Sequence, residues 1–144
     1  MGIFDKNRFE SVTQTWETPD EIFIPANNEF HFTRDVCASS ENTKCKNFWS
    51  LENSCLTKKW DGINWMNPPF IDMKIFIKKA FLERHNAINV CLLPARTNTN
   101  WWHEYCMHGE VYFIKGRPKF KGCKYGLPQP LSLIVFGREI NIFG

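Results

Sequence analysis

Residues 62–93 run from a short β-prone segment through a helical stripe into a second apolar segment, and this order constrains the fold more than anything else in the chain. Residues 62–66 are apolar and β-prone. Asn67-Pro68-Pro69-Phe70 ends them, because proline cannot donate to a sheet ladder. Past Pro69, Asp72 is placed to cap a helix in which Met73, Phe76, Ile77, Ala80 and Phe81 fall at i, i+3, i+4, i+7 and i+8, the spacing of one buried stripe. Residues 87–93 then read as a buried strand ended by Pro94, which completes a βαβ unit. Residues 32–37 and 131–136 are further strand segments. Thr18-Pro19-Asp20-Glu21 opens an earlier helix, with Thr18 as the cap, Pro19 at the first helical position and Glu21 as the acid of a capping box. Pro25 should limit that helix to about two turns or kink it, since it lacks an amide hydrogen and crowds the preceding turn. The alternation predicts an α/β architecture, a mostly parallel sheet flanked by helices that binds ligands at the carboxyl ends of its strands.

At 144 residues the chain suits one domain spanning residues 1–144, and its 43% apolar content with 13 Phe excludes intrinsic disorder. No apolar run approaches the roughly 20 residues that span a bilayer. Charges at Asp5, Lys6, Arg8 and Glu10 leave no apolar core for a secretory signal, so the cytoplasm is the expected location. The six cysteines form no Cys-x-x-Cys pair, which argues against a zinc ribbon or a redox motif. His103, Cys106 and His108 cluster without a second ligand pair, and no metal is expected. The net charge is only +3, but residues 111–138 contain no acid and carry Lys115, Arg117, Lys119, Lys121, Lys124 and Arg138.

Asn67-Pro68-Pro69-Phe70 lies where a strand has ended and a helix has not begun, at the expected ligand edge. One explanation is a rigid turn, with two prolines stopping the strand and Phe70 filling a gap. The other is chemical. The lone pair of an exocyclic amine on a base is delocalised into the ring. Two acceptors for its N–H protons, the Asn67 side-chain oxygen and the Pro68 carbonyl, would draw that nitrogen towards tetrahedral geometry and free it to attack a methyl group. Pro69 stiffens the backbone, and Phe70 offers a stacking face for a flipped-out base. Methylation at cytosine C5 would instead need a cysteine nucleophile, which this motif lacks.

In order along the chain, Trp16-Glu17-Thr18-Pro19, Asp35-Val36-Cys37-Ala38-Ser39 with Glu41-Asn42, Asn67-Pro68-Pro69-Phe70, Leu93-Pro94-Ala95-Arg96-Thr97 and Gly116-Arg117-Pro118-Lys119-Phe120 resemble the landmarks of the small phage-type DNA N6-adenine methyltransferases, the Dam family of phages and prophages. The resemblance covers residues 16–136. It implies S-adenosylmethionine as methyl donor, an abbreviated Rossmann-like methyltransferase fold, and adenine in DNA as acceptor. By the same resemblance, Trp16, Thr18 and Pro19 approach the methionine end of the cofactor, and Asp35, Ala38 and Ser39 belong to the cofactor loop after the first strand. Thr18 is equally a plain helix cap, whereas for Asp35 the cofactor contact is preferred over a simple strand-end cap.

Two departures accompany the resemblance. The loop carries Ala38-Ser39-Ser40 where glycines are usual, which gives it fewer routes to positive φ. The interval from Asp35 to Asn67 is also too short for two βαβ passages of about 30 residues each, so the core must be abbreviated. The acid that would hold the ribose hydroxyls is left open among Glu41, Glu52 and Asp61.

Lys115, Arg117, Lys119 and Lys121 alternate with Gly116, Pro118 and Phe120, so an extended segment would place the cations in one row, suited to DNA phosphates or simply to a solvated edge. Trp101-Trp102 follow a polar run and read as a loop in which one indole is buried and the other exposed, for stacking on bases or for the core. Arg96, at a strand end, is a further substrate candidate or the partner of an acid. The motif also fits methylation of cytosine N4, RNA adenine or a protein glutamine, and a cofactor-free nucleic-acid binder is a third possibility. The chain lacks room for a separate target-recognition domain, so specificity falls to loops, a homodimer or an accessory partner.

Overall fold

The computed structural model describes residues 17–50, 52–120 and 129–143. Among these residues five strands form one sheet: β1 Arg34–Asp35, β2 Ile63–Met66, β3 Ile88–Pro94, β4 Glu110–Ile114 and β5 Leu131–Phe136, in the order β1-β2-β3-β5-β4. β1, β2 and β3 are parallel, and β5 runs antiparallel to both β3 and β4. Helices α1 Asp20–Phe30, α2 Met73–Leu82, α3 Asn100–Glu104 and α4 Arg138–Phe143 complete an α/β fold.

The two sheet faces follow from the period of two along each strand. Trp65, Val90, Leu92, Leu131 and Val135 pack with Ile22, Phe23, Ala26 and Phe30 of α1. Their neighbours Met66, Cys91, Leu93, Ile134 and Phe136 pack on the opposite side with Met73, Phe76, Ile77 and Ala80 of α2. β3 is therefore covered on both faces, which is why its sequence is apolar without alternation. Four residues of the expected α2 stripe are buried and Phe81 is half-buried. On the α2 side, Asn64 and Asn89 lie opposite each other in the β2–β3 register. Asn64 Nδ2 donates to Asn89 Oδ1 at 2.9 Å, and Asn89 Nδ2 donates to the Ala80 carbonyl at 2.9 Å, satisfying one orphan carbonyl at the end of α2.

Several expectations are corrected. Of the two outcomes expected at Pro25, termination does not occur: α1 runs through it to Phe30, because Pro25 sits on the exposed face where water can solvate the carbonyl it leaves free. Thr18 caps no helix: Pro19 occupies the N-cap position, and its carbonyl accepts the Ile22 and Phe23 amides at 3.1 Å each. Asp72 stands at the N-cap of α2 in a left-handed conformation (φ 60°) and makes no side-chain cap bond. The expected strand over 32–37 shortens to β1, whose outer edge is covered by the loop that brings Phe48 beside Asp35. Trp101 and Trp102 lie in α3 rather than a loop, because Thr99 Oγ1 caps it by accepting from the Trp102 amide. The basic segment after β4 is not a regular extended strand: φ of +87° at Gly116 breaks its alternation. Lys121 and Lys124 of that segment, and Trp16, lie outside the described residues.

Candidate active site

β4 points the same way as β1, β2 and β3, so one edge of the sheet gathers residues 36–39, 67–70, 95–96 and 115–120. A cleft of about 540 Å³, including its open mouth, lies at the β1–β2 end of this edge. Val36, Cys37, Ala38 and Ser39 form one wall, Ser50, Glu52, Ser54 and Cys55 a second, and Asn67, Pro69 and Phe76 the third.

Asn67 is half-buried, between a fully buried β2 end and the buried Pro68 and Pro69. Its Nδ2 donates to Thr18 Oγ1 at 3.0 Å, which leaves the lone pairs of Oδ1 for an incoming N–H. Phe70 is half-buried and packs against the α2-side core. Thr18 is itself only 2% exposed and is not part of the cleft lining. The segment around it is held by Lys44, whose side chain is 8% exposed and whose Nζ pairs with Glu17 Oε2 at 2.9 Å and Asp20 Oδ1 at 3.1 Å.

Asp35 is buried behind the cleft wall. Its Oδ1 accepts from the Cys37 amide at 3.3 Å and its Oδ2 from the Lys44 amide at 3.0 Å, the arrangement of a strand-end cap. Burial pushes its carboxyl up to about 7, although the two amides and the Lys44 charge pull it down. The loop continues with Ser39, whose amide donates to Asn42 Oδ1 at 2.7 Å and whose shielded hydroxyl lies towards the Glu41 carboxylate, helping to hold it below the usual carboxylate range. Burial and the Cys55 thiol push the Cys37 thiol well up, so Cys37 is protonated and no nucleophile.

The remaining predicted residues lie elsewhere on the edge. Arg96 is exposed at the end of β3 and donates through Nε to Gln129 Oε1 at 3.0 Å rather than to an acid. Trp102 is buried, and Trp101 is half-buried against the α2-side core. Lys115, Arg117 and Lys119 are exposed beyond β4, outside the cleft lining, while Phe120 inserts into the α1-side core. Of the three acids left open above, Glu52 lines the cleft and accepts from Ser50 Oγ at 3.1 Å. Asp61 pairs with Arg34, and Glu41 is exposed outside the lining. The wall formed by Ser50, Ser54 and Cys55, and the anchoring role of Lys44, carried no periodic or motif signal. Among the described residues, no group of three or more His, Cys, Asp or Glu side chains could hold a metal, and no helix is long and apolar enough to cross a membrane.

The amide, cleft and basic segment sit within the part of the chain that matches known proteins. The family model described as DNA N-6-adenine-methyltransferase (Dam) matches residues 6–130. A DNA N-6-adenine-methyltransferase of Haemophilus phage HP1 (strain HP1c1) is 34% identical over 143 residues, covering 90% of this chain and 82% of its own. Another of that name, from Escherichia phage T1, is 38% identical over 104 residues, or 68% of this chain, and the match spans 43% of that protein's length. With a family match that runs from before α1 to the eve of β5 and takes in every wall of the cleft, the chain belongs to the Dam family of DNA N-6-adenine-methyltransferases.

Proposed function

We propose that the protein transfers a methyl group from S-adenosylmethionine to the exocyclic N6 amine of adenine in DNA. The observation that carries this reading is the Asn67 amide, tied through Nδ2 to Thr18 at the rim of a cleft, with its oxygen left to accept. Asn67 Oδ1 and the Pro68 carbonyl together receive the two N–H bonds of the amine, and the charge that grows on nitrogen during attack strengthens both contacts. Such acceptors remove the need for a strong base, since the alkylated nitrogen loses its extra proton readily to water. Phe70 stacks on the extruded base, and its packing against the core fixes the plane it offers.

The cleft suits the proposed cofactor in its mixture of groups. Val36, Ala38 and Phe76 supply apolar surface, and Glu52 with Ser39, Ser50 and Ser54 supplies acceptors and hydroxyls. Glu52 would hold the ribose hydroxyls. When bound, the sulfonium supplies an activated methyl group. Ala38 and Ser39 would line the cofactor directly, while Asp35 acts from behind by holding the Cys37 and Lys44 amides.

Lys115, Arg117, Lys119 and Arg96 lie on the same edge and would meet backbone phosphates, giving affinity without reading sequence. Trp101 keeps part of its ring open for a base. DNA and cofactor meet in the cytoplasm, the host's for a phage-borne chain. The test is incubation with isotopically labelled S-adenosylmethionine and unmethylated DNA, followed by nucleoside mass spectrometry. Label in N6-methyladenine is expected. Label in N4-methylcytosine, or incorporation only into RNA or protein, overturns the assignment.

A further inference from the structure

Given the methyl transfer proposed above, on which this rests, we infer that Thr18 is a positioning residue for catalysis: its hydroxyl holds the Asn67 side chain in place at the rim of the cleft. The amide oxygen can receive the amine only while the side chain keeps one rotamer, since a swing of the amide carries Oδ1 away from the incoming N–H. A hydrogen bond at the other end of the amide restrains that swing.

Thr18 makes that bond, with Oγ1 3.0 Å from Asn67 Nδ2. Its hydroxyl is not used by α1, which has no side-chain cap bond; the Ile22 and Phe23 amides go to the Pro19 carbonyl. It is absent from the cleft lining, so it lies behind Asn67 rather than beside a ligand in the cleft. The hydroxyl is also held from both sides along the chain. Glu17 and Asp20, which flank the Thr18-Pro19 pair, both pair with Lys44, and the Lys44 amide is bound in turn by Asp35 at the end of β1. Phe23 of α1 packs edge-on against Trp65, two residues before Asn67 in β2, with ring centroids 5.3 Å apart. Segment 17–23 is thus fixed to the two strands that border the cleft, and the position of the hydroxyl is not free to drift.

The test compares Thr18→Val, which keeps the shape and removes the hydroxyl, with Thr18→Ser, which keeps the hydroxyl. Two readouts are taken: kcat with the cofactor Kd from calorimetry, and the side-chain amide resonances of Asn67 in ¹⁵N-labelled protein, assigned by their loss in Asn67→Asp. In Thr18→Val, kcat should fall about tenfold, the factor one hydrogen bond typically carries, with cofactor Kd unchanged and the Asn67 amide protons exchanging faster. Thr18→Ser should restore both readouts. Weaker cofactor binding with kcat intact at saturation would make Thr18 a cofactor contact and overturn the inference. Unchanged kcat, or unchanged exchange of the Asn67 amide, would overturn it as well. If Thr18→Val does not fold, Thr18→Ala replaces it with the same expectations. Should the wild-type protein methylate nothing, the proposed function fails, while the exchange comparison still decides whether Thr18 restrains Asn67.

Discussion

Replacing Asn67 by Ala and by Asp separates an acceptor that acts on substrate from one that only shapes a turn. Ala removes the oxygen proposed to receive the amine proton, and loss of one preorganised hydrogen-bonding group typically lowers kcat by about 10²–10³. It also strips the buried Thr18 hydroxyl of its Asn67 partner, at a stability cost of about 1–3 kcal/mol. Asp has no Nδ2 to donate, but a hydroxyl both donates and accepts, so Thr18 can reverse the bond and donate to one carboxylate oxygen. The second oxygen then remains for the amine. Asn67 is only half-buried, so the new charge keeps part of its solvation. Methyl transfer by Asn67→Asp is therefore expected within about tenfold of wild type, well above Asn67→Ala. Single-turnover transfer of labelled methyl groups at saturating cofactor measures both, with calorimetry confirming that cofactor affinity is kept. If Asp is as inactive as Ala, or if Ala transfers at the wild-type rate, the acceptor role is wrong.

Burial lifts the Asp35 carboxyl from 3.8 to about 7, so between those values the folded protein holds a proton that the unfolded chain has released. This group's stabilising contribution is complete below pH 3.8 and is lost by up to about 1.4 kcal/mol per unit as pH rises towards 7. Urea melts of wild type and Asp35→Asn from about pH 5 to about pH 8 should show the difference between them shrinking as pH rises, and a flat difference would refute the shift. Replacing Lys115, Arg117 and Lys119 together by Gln should weaken DNA binding and flatten its salt dependence by about 0.9 for each phosphate no longer neutralised, without altering which base is methylated. Filter binding across a salt series checks this, and an unchanged slope would remove the segment from the DNA interface. Gly62→Ala should lower the unfolding free energy by about 1–3 kcal/mol, because φ is +68° and a Cβ would come 2.5 Å from Thr33 Oγ1, the group that bonds both the amide and the carbonyl of Ile63. An unaltered denaturation midpoint would count against that strain.

The Asn67–Phe70 motif is placed by its neighbours in the sequence, the β-prone run that becomes β2 before it and the α2 stripe after it. β4 gave no such signal. It is an edge strand whose residues are all half-buried or exposed, so no face is consistently apolar and the period of two is erased. α3 was hidden by its own cap, since the polar residues 97–100 read as loop while Thr99 was already starting a helix. Pro25 misled in the opposite direction, because the cost of a helical proline depends on whether water reaches the orphaned carbonyl, which sequence does not state. Thr18 was ambiguous between cap and cofactor contact. Its observed partner lies 49 residues away, and no local rule reaches that far.

The loop after β1 explains how the cleft wall proposed to meet the cofactor is built without glycines. Glycine is needed there only if the backbone must take positive φ, and none of residues 36–40 does. The turn is made instead by side-chain acceptors: Asp35 takes the Cys37 and Lys44 amides, and Asn42 takes the Ser39 amide. Each bond removes a donor that a glycine loop would aim at a ligand, so this wall offers Ser39 Oγ and apolar surface rather than a row of free amides. The same economy appears at the sheet edge. Between β1 and β2, where further strands would cover Asp35, the loop at 47–49 does so through the Asp35 amide to Asn47 carbonyl bond at 3.0 Å and the Trp49 amide to Asp35 carbonyl bond at 2.9 Å. Asp35 is therefore buried by loop rather than by sheet. A group that organises two amides, anchors Lys44 and through it the Thr18 segment must stay where that loop puts it, so stability and catalysis should be coupled most tightly at this position.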